Sequence, residues 1–404
     1  MSTSFLYHTC GIRGYEYQST AYVEGTLLFM IRQPREKLRC PRCGTAEVAA
    51  RGVVPRVFRS LPIGHRSTRI GLDVPRVHCA KCNVTRQVRI GFADERRQHT
   101  RAFARYALEL TRMATIQDVA QHLGVGWDLI KDLKKSDLVR RFRKPKLRGL
   151  KRLAIDEICI GRGHRYRTLV LDLDSGAIVF VGQGKGADAL KPFWKRLHSS
   201  RAKIQAVAVD LSPAYTAALR THLPEATIVY DRFHIMKLFN EKLSDLRREL
   251  HREAIEGLHK QVLKGTRWLL LMNNENLDDA KGERQRLLEA LKLNESLATA
   301  YYLKEDLRLL WEQSDVLAAS KFLTSWIRRA ESSGIRILQT FAKTLAIHRR
   351  GLLAWYSDAI STGPLEGTNN KIRALTRQAY GFRDQEYFML QLYALHTTRV
   401  LLVG

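Results

Sequence analysis

Three carboxylates that lie far apart in the sequence occupy positions where an acid can do chemistry. Asp156 lies within the apolar run Leu153–Ile160, Asp210 ends the apolar run Ile204–Asp210, and Glu366 lies in the first turn of a predicted helix. A carboxylate among apolar residues is costly unless a cation or hydrogen bonds compensate its charge. Oxygen ligands without clustered histidines favour Mg²⁺ or Mn²⁺. Two such ions would activate a water or a 3′-hydroxyl on one side of a phosphodiester and stabilise the leaving oxygen on the other.

Two of these acids also have a simpler explanation. Asp156 could accept backbone hydrogen bonds at the end of its strand. Glu366 could cap its own helix, although the predicted cap position carries Gly363 rather than Ser or Thr, which leaves the reciprocal capping box incomplete. These structural interpretations stay open until the three carboxylates are shown to lie close together in the folded protein.

A fourth acid follows Asp210 in the sequence. Asp231 ends the apolar segment before it, one strand-and-helix step after Asp210, and His234 follows three residues later. We expect both at the sheet edge that carries Asp210, beside the metals and not among their ligands. His234 could hydrogen-bond the scissile phosphate or hold a catalytic acid in place. The alternative is structural: an aspartate that starts a helix with a histidine packed beneath it.

The predicted elements bring these acids into one α/β core. The two apolar runs Leu153–Ile160 and Thr168–Leu173 flank the turn-like segment GRGHR and predict a buried hairpin, and Ala177–Gly182 supplies a third strand. A helix over Ala187–His198 and a strand over Ile204–Asp210 follow. Ser212 and Pro213 have the residue types of a helix cap and first position. This order suits a ribonuclease H-like core, in which the first and fourth strands are neighbours.

The later part of the chain is almost entirely helical in pattern. Residues 235–360 predict a long all-helical insertion, which delivers the chain to the helix that carries Glu366. Asn370, Arg373 and Arg377 follow Glu366 at helical spacing and share one side of that helix with it. We therefore expect a DNA-facing stripe of an amide and two guanidinium groups beside the third acid.

Two CxxC motifs in the first hundred residues predict a metal site. Cys40 and Cys43 form one motif, and Cys79 and Cys82 form the other. Two such motifs in a basic chain without a secretory signal predict four thiolates around one structural Zn²⁺, because each motif bends the backbone so that both sulfurs reach one ion. Disulfides are the alternative, which a reducing compartment disfavours. The alternating segments between the motifs predict a small β-ribbon, and a further strand is expected around Tyr22–Ile31.

The pattern becomes helical after Thr100. Val119, Ala120 and Leu123 form an apolar face, Gly124 to Gly126 make a tight turn, and a second helix begins at Trp127. This is the pattern of a helix-turn-helix, whose second helix would enter a DNA major groove with three lysines near phosphates: Lys131, Lys134 and Lys135. Any helical hairpin with a glycine turn looks similar. The basic segment Arg140–Gly149 is either a linker that follows DNA or a solvated hinge.

Charge and composition limit the class of protein. The 404 residues are 45% hydrophobic and carry 68 Lys and Arg against 40 Asp and Glu, a formal charge of +28. The excess is denser in the first 150 residues. Such a field favours a polyanion partner, most directly nucleic acid, with solubility or a membrane surface as the alternatives. No apolar run reaches the ~18 residues of a membrane span, and the first residues do not resemble a signal peptide, so we expect no membrane partner and a cytoplasmic protein.

Several of these motifs together resemble a known family over nearly the whole chain. The CPRCG and CAKC pair, IQDVAQHLGVGWDLIK, LAIDEI, VAVDLSPAY, DRFHIMK and GPLEGTNNKIRALTRQAYGFR resemble the ISL-three family of insertion-sequence transposases. The resemblance implies a DDE triad of Asp156, Asp210 and Glu366, with the helical insertion between the last two acids. It also implies cutting and joining of DNA at terminal inverted repeats. DRFH resembles the Asp-x-x-His signature of related transposases.

These inferences define the expected protein. It is a multidomain α/β plus α chain with a zinc-binding module at 1–95, a helix-turn-helix with basic linker at 96–148 and a ribonuclease H-like catalytic domain at 149–404. It would hold two Mg²⁺ (or Mn²⁺) and one structural Zn²⁺, bind element ends and target DNA as a homodimer, and associate with the bacterial nucleoid. The rival functions are a DNA-binding regulator without catalysis and a nuclease that cuts without joining.

Overall fold

A computed structural model describes residues 3–161, 165–253, 266–292 and 294–397. The chain divides into two compact units, Met1–Arg143 and Lys144–Thr397, which are described separately. The three domain ranges expected from the sequence stay predictions. Within the described residues, no helix is both long and apolar enough to cross a membrane.

A five-stranded sheet forms the first part of the first unit. Helix α1 (Thr3–Cys10) precedes it, and its strands are Glu16–Val23 (β1), Thr26–Arg32 (β2), Ala49–Ile63 (β3), Arg66–Cys79 (β4) and Val84–Gln87 (β5). Their order is β1-β2-β4-β3, and β5 pairs antiparallel with the last residues of β4, from Arg76 to Cys79. The strand predicted around Tyr22–Ile31 is confirmed over β2 but does not extend back to Tyr22, because Glu24 and Gly25 both have positive φ and turn the chain into a hairpin.

Three helices complete the first unit: Arg101–Leu110 (α2), Ile116–Leu123 (α3) and Trp127–Phe142 (α4). Thr115 and Asp118 form a reciprocal capping box at the start of α3. Gly124 ends α3 in the left-handed region with φ +60°, which a residue with a Cβ rarely adopts, and this allows the sharp turn into α4. Val119, Ala120 and Leu123 are buried against α2 and α4, as the apolar pattern predicted.

A mixed five-stranded sheet forms the centre of the second unit. Its strands are Arg152–Cys159 (β6), Tyr166–Asp172 (β7), Ile178–Gln183 (β8), Ala206–Val209 (β9) and Thr227–Tyr230 (β10). The order is β10-β9-β6-β7-β8: β6, β7 and β8 pair antiparallel, whereas β9 pairs parallel to β6 and β10 parallel to β9. The predicted hairpin and third strand are confirmed. Of the GRGHR turn, Arg162 to His164 lie outside the described residues.

Helices connect and follow the later strands of this sheet. A 3₁₀ turn, Ala187–Leu190, leads into Lys191–Ser200 (α5), so the helix predicted over Ala187–His198 is regular only in its second part. Pro213–His222 (α6) starts at Ser212, whose hydroxyl accepts from the Tyr215 N–H as predicted. Arg232–Glu253 (α7) begins directly after β10.

The predicted helical insertion is confirmed over the described residues. Its helices after α7 are Arg267–Leu271 (α8), Glu283–Lys292 (α9), Glu295–Arg308 (α10), Val316–Ser332 (α11), Arg336–Ile347 (α12) and Arg349–Leu353 (α13). Short 3₁₀ turns separate some of them. Gly363–Gln378 (α14) and Gln385–Tyr393 (α15) then return to the sheet, α14 against β6 and α15 against β8. Apolar residues of the sheet, of α5 to α7 and of the helices α8 to α13 form one continuous core.

Candidate functional site

Strand β6 presents Asp156 on the face that α14 covers. Leu153 and Ile155 point into the main core, so the alternation of the strand places Asp156 on the other face with the buried Ala154 and Ile158. The Asp156 Oδ1 atom accepts from the Glu157 N–H at 2.7 Å. Burial raises the pKa of the Asp156 carboxyl, and the bond from Glu157 and the charge of His234 only partly offset this. The carboxylate is therefore held in place but incompletely compensated.

Asp210 lies at the same level of the sheet as Asp156. Strands β6 and β9 run parallel with Ala154 paired to Ala208, and each acid follows its paired alanine by two residues. The Asp210 Oδ1 atom is buried and has no hydrogen-bond partner. Burial raises the pKa of Asp210, the charge of His234 lowers it, and the charge of Asp156 raises it further. These two acids therefore interact with each other and with one histidine.

Asp231 fixes that histidine. The Asp231 side chain is fully buried, and its Oδ2 atom accepts from the His234 backbone N–H at 3.2 Å and from the ring Nδ1 at 3.0 Å. The hydrogen bond to Asp231 raises the pKa of His234, burial opposes it, and the charges of Asp156 and Asp210 raise it further. Burial alone would raise the pKa of Asp231, but the bonds from His234 and from the Thr362 N–H lower it overall. The imidazole ring is thus oriented by Asp231, and it interacts electrostatically with both Asp156 and Asp210.

Glu366 reaches this region on helix α14. The helix begins after Thr362, so the predicted cap at Gly363 is wrong by one residue, and no side chain caps the helix. The Thr362 N–H instead donates to Asp231 Oδ1 at 3.1 Å. Glu366 is exposed in the first turn. Among the described residues, the cysteine group described below is the only set of three or more potential ligands that could hold one metal ion, so Glu366 is not grouped with Asp156 and Asp210.

The residue of α14 that contacts Asp156 is Asn369, which was not predicted from the sequence as a site residue. Its Nδ2 atom donates to Asp156 Oδ2 at 3.0 Å, and its Oδ1 atom is buried without a partner. Asn369 lies three residues after Glu366, so both residues are on nearby faces of the helix. The pair Asn369 and Asn370 offers the same chemistry in the sequence, and only the packing of the helix separates them.

The stripe predicted along α14 lies on its exposed surface. Asn370, Arg373 and Arg377 are all exposed, and an Arg373 guanidinium nitrogen donates to Asn370 Oδ1 at 2.9 Å. Contact of these three residues with DNA stays a prediction.

The four cysteines of the two CxxC motifs come together in the first unit. The sulfur atoms of Cys40, Cys43, Cys79 and Cys82 lie within 4.8 Å of one another. The Arg42 N–H points at Cys40 Sγ at 3.4 Å, and backbone N–H donors at this turn lower the pKa of Cys40 to about 6. A thiolate set of this size fits a tetrahedral Zn²⁺. The long β3–β4 hairpin spans the 36 positions between the motifs and brings the second pair back to the first.

The lysines predicted to contact phosphates differ in their surroundings. The Lys134 Nζ atom is turned towards α2 and donates to the Thr111 carbonyl at 3.3 Å, and burial lowers its pKa to about 8. This differs from the predicted phosphate contact, because α2 packs over this face of α4. Lys131 lies with its Nζ 5.2 Å from the centre of the Trp127 ring. For Lys131 and Lys135 the phosphate contact stays a prediction.

Three family models match successive parts of the chain. A zinc finger of the transposases of IS204, IS1001, IS1096 and IS1165 matches residues 36–82, and a helix-turn-helix domain of transposase family ISL3 matches residues 88–133. A transposase model of the same family matches residues 153–392, more than half of the chain. The zinc and helix-turn-helix modules predicted from the sequence are thereby confirmed.

Curated relatives extend over nearly the whole chain. The transposase of insertion sequence element IS1001 from Bordetella parapertussis is 32% identical over 392 residues, covering 95% of this chain and 96% of the relative. The transposase of IS1557 from Mycobacterium tuberculosis is 28% identical, covering 93% and 90%. The Drosophila P element transposase in its strand transfer complex is 12% identical and matches over 72% of this chain and 91% of its own. Its TM-score of 0.43 is too low to establish a common fold.

Proposed function

Because the chain belongs to the ISL3 (ISL-three) family of insertion-sequence transposases, we propose that it cuts and joins DNA with Asp156, Asp210 and Glu366 as a DDE triad on a ribonuclease H-like core. The order of the sheet supports this proposal: three antiparallel strands are followed by two parallel ones, and the first strand is central beside the fourth. The observation that carries it is the placement of Asp156 and Asp210 at one level of neighbouring strands, both half-buried and both facing His234.

The residues present fit a hard divalent cation. The donor set consists of oxygens, burial disfavours the charged form of both strand acids, and the buried Asp210 Oδ1 atom has no protein partner. Asp156, Asp210 and Glu366 would hold two Mg²⁺ or Mn²⁺, which when bound supply charge stabilisation to the attacking and leaving oxygens of a phosphodiester. The Glu366 side chain is exposed on α14, a helix that already packs against β6, so rotation of this side chain towards Asp156 would complete the site when DNA and metal bind.

His234 and Asp231 have a different role in this proposal. Asp231 orients the imidazole through Nδ1, which leaves Nε2 for a group outside the pair, such as the scissile phosphate. The raised pKa of His234 keeps it positively charged to higher pH, which suits a contact with an anion. We expect His234→Ala to lower the rate of strand cleavage at least about tenfold, as loss of an orienting partner commonly does. Zinc content and end binding should change little; normal cleavage would make the pair structural.

DNA would be held by both units. In the first unit, α4 would enter a major groove with Lys131 and Lys135 near phosphates; in the second, Asn370, Arg373 and Arg377 would follow the strand that is cut. The bound sequences would be the terminal inverted repeats of the element and the target duplex, and the active assembly a homodimer. Such partners would place the protein on the bacterial nucleoid. Light scattering with and without an end duplex measures the assembly.

Conservative variants of the acids test the triad. Asp156→Asn, Asp210→Asn and Glu366→Gln should each abolish cleavage of a labelled element end and joining of a pre-cleaved end, because each removes a metal ligand without adding bulk. End binding should stay nearly intact. Asp188→Asn is a matched control, since this acid is exposed and forms an ion pair with Lys191. Mg²⁺-dependent strand transfer by one of the three variants would remove that residue from the triad.

The same assays separate the rival functions. A regulator that keeps the fold without catalysis would bind ends and yield no metal-dependent product with the native protein. A nuclease would cut the end but would not join a pre-cleaved 3′ end to a target plasmid. Ca²⁺, which is larger and less suited to octahedral geometry, should support assembly with DNA but no turnover.

A further inference from the structure

Asn369 is a buried polar residue at the candidate active site. It has no role in the proposed triad. It is 6% exposed and lies on α14 between Glu366 and the exposed arginines. Its Nδ2 atom donates to Asp156 Oδ2 at 3.0 Å, a bond that joins the helix of the third acid to the strand of the first. A buried amide of this kind requires partners for its donor and for its acceptor.

The chemistry of the contact fixes the orientation of the amide. An ionised carboxylate only accepts hydrogen bonds, so the nitrogen of the amide must face Asp156 and the oxygen must point away. That Asn369 Oδ1 atom is buried and has no partner in the protein. A buried acceptor without a hydrogen bond destabilises the folded protein. The arrangement therefore implies a partner that does not belong to the protein, either a water or an ion.

Both oxygens of Asp156 are held, and a second acceptor at the site lacks a partner. Asp156 Oδ1 accepts from the Glu157 N–H and Asp156 Oδ2 accepts from Asn369, which fixes the rotation of the carboxylate. Each oxygen keeps a further lone pair for a cation. Asp210 Oδ1, on the neighbouring strand, is likewise buried without a partner in the protein. Two unsatisfied acceptors beside a fixed carboxylate are what a hydrated divalent cation would complete.

We propose that Asn369 is a positioning residue of the metal site: its Nδ2 holds the Asp156 carboxylate in the orientation that binds the cation, and its Oδ1 accepts from a water of that cation. This inference rests on the proposed function of Asp156 as a metal ligand. It gives α14 two contributions to the site, Glu366 as a ligand and Asn369 as the residue that orients another ligand. A purely structural role, joining α14 to β6, is the competing explanation.

Binding of Mn²⁺ to the zinc-loaded, full-length protein tests the proposal without DNA. Mn²⁺ is titrated by electron paramagnetic resonance into the native protein, Asn369→Ala, Asp156→Asn and the control Asn276→Ala, an exposed asparagine of the same unit. We expect Asn369→Ala to weaken Mn²⁺ binding about 10–100-fold, the usual effect of losing a residue that orients a ligand. Asn276→Ala should match the native protein. A thermal unfolding scan of the zinc-loaded protein without Mn²⁺ accompanies each titration.

The outcomes distinguish this inference from the one on which it rests. Native Mn²⁺ affinity in Asp156→Asn overturns the proposed function. Lost binding in Asp156→Asn together with native affinity in Asn369→Ala overturns only the role of Asn369, whether or not Asn369→Ala unfolds earlier. If Asn369→Ala does not fold, Asn369→Leu keeps the volume of the side chain, and native affinity there is equally decisive. In cleavage assays, Asn369→Ala should need about 10–100-fold more Mg²⁺ for half-maximal rate and recover at saturation.

Discussion

Replacement of Asp231 by asparagine tests how one buried carboxylate holds the candidate active site together. Asp231 accepts three hydrogen bonds: Oδ1 from the Thr362 N–H, and Oδ2 from the backbone and the ring of His234. The amide of the variant side chain would have a single acceptor oxygen. If that oxygen stays with His234, the new NH₂ group faces the Thr362 N–H, and two donors oppose each other. If it turns to Thr362, the bond from the His234 backbone N–H is lost, and the ring Nδ1 can bond the new NH₂ group only as an acceptor, in the neutral imidazole.

The magnitude follows from these contacts. A hydrogen bond to a charged group contributes about 1.5–3 kcal/mol, and an unmatched buried donor adds to its loss, so we expect Asp231→Asn to cost roughly 2–4 kcal/mol. For a unit of this size, each kcal/mol lowers the unfolding temperature by about 2–4 °C. The transition of the Lys144–Thr397 unit should therefore fall by roughly 4–16 °C, and Asp188→Asn should leave it unchanged.

The pH dependence of the stability lost in Asp231→Asn gives a sharper test. The folded pKa of Asp231 is lowered from 3.8, so its contribution to stability is complete above 3.8 and is lost as pH falls through the folded value. The folded pKa of His234 is raised from 6.5, so its contribution is complete below 6.5 and is lost as pH rises through the folded value. Asp156, Asp210 and Asp231 are the charged groups that raise it.

Both groups are therefore charged between pH 3.8 and 6.5, where the stability difference between the native protein and Asp231→Asn should be largest. Urea unfolding of the zinc-loaded protein at a series of pH values from about 5.5 to about 9 measures that difference. It should shrink as pH rises through the folded pKa of His234. A difference that is constant over this range, or an unfolding temperature equal to the native one, would refute the reasoning from the ion pair.

Three further perturbations have expected outcomes. Lys134→Met should retain affinity for element ends and its salt dependence, measured by fluorescence anisotropy, because the ammonium lies against the Thr111 carbonyl; Lys131→Ala with Lys135→Ala should flatten the salt dependence. Cys40→Ser and Cys79→Ser should each lose zinc in metal analysis and destabilise the first unit, whereas the exposed Cys159→Ser should not. Gly351→Ala places a methyl carbon 2.4 Å from the Tyr230 ring and should cost about 1–3 kcal/mol in urea unfolding.

Much of the second unit could be predicted because its strands are short apolar runs that end in acids. Such runs bury both faces in the middle of a sheet, and the first polar residue after each run marks the sheet edge. This reasoning located Asp210 and Asp231 directly after β9 and β10. It also identified the hairpin that holds Asp156; the structure then supplies its register, in which Asp156 pairs with Leu169. The end of an apolar run is a property of the sequence alone.

Positions on helices were predicted less well, because a difference of one residue turns a side chain by about 100° around the axis. Asn370 was expected on the DNA-facing side of α14, which stays a prediction, whereas the contact of its neighbour Asn369 with Asp156 was not predicted. Lys134 was expected to face DNA together with Lys131, yet it faces α2. The cap of α14 is Thr362 and not Gly363. Which neighbour faces inward depends on the helix or strand packed against it, and no local pattern contains that information.

The contacts of Asp231 also explain how the residues of one site can come from both sides of a helical insertion of more than a hundred residues. The chain leaves the sheet at α7, where His234 bonds to Asp231 Oδ2, and it returns at Thr362, whose N–H bonds to Asp231 Oδ1, 131 positions after Asp231. Both ends of the insertion are therefore fastened to the two oxygens of one buried carboxylate at the end of β10. The start of α14, and with it Glu366 and Asn369, is set relative to Asp156 by bonds made outside the insertion. Changes of length inside the insertion can then leave the geometry of the candidate active site intact, since closing a longer loop adds only about 0.6 kcal/mol per doubling.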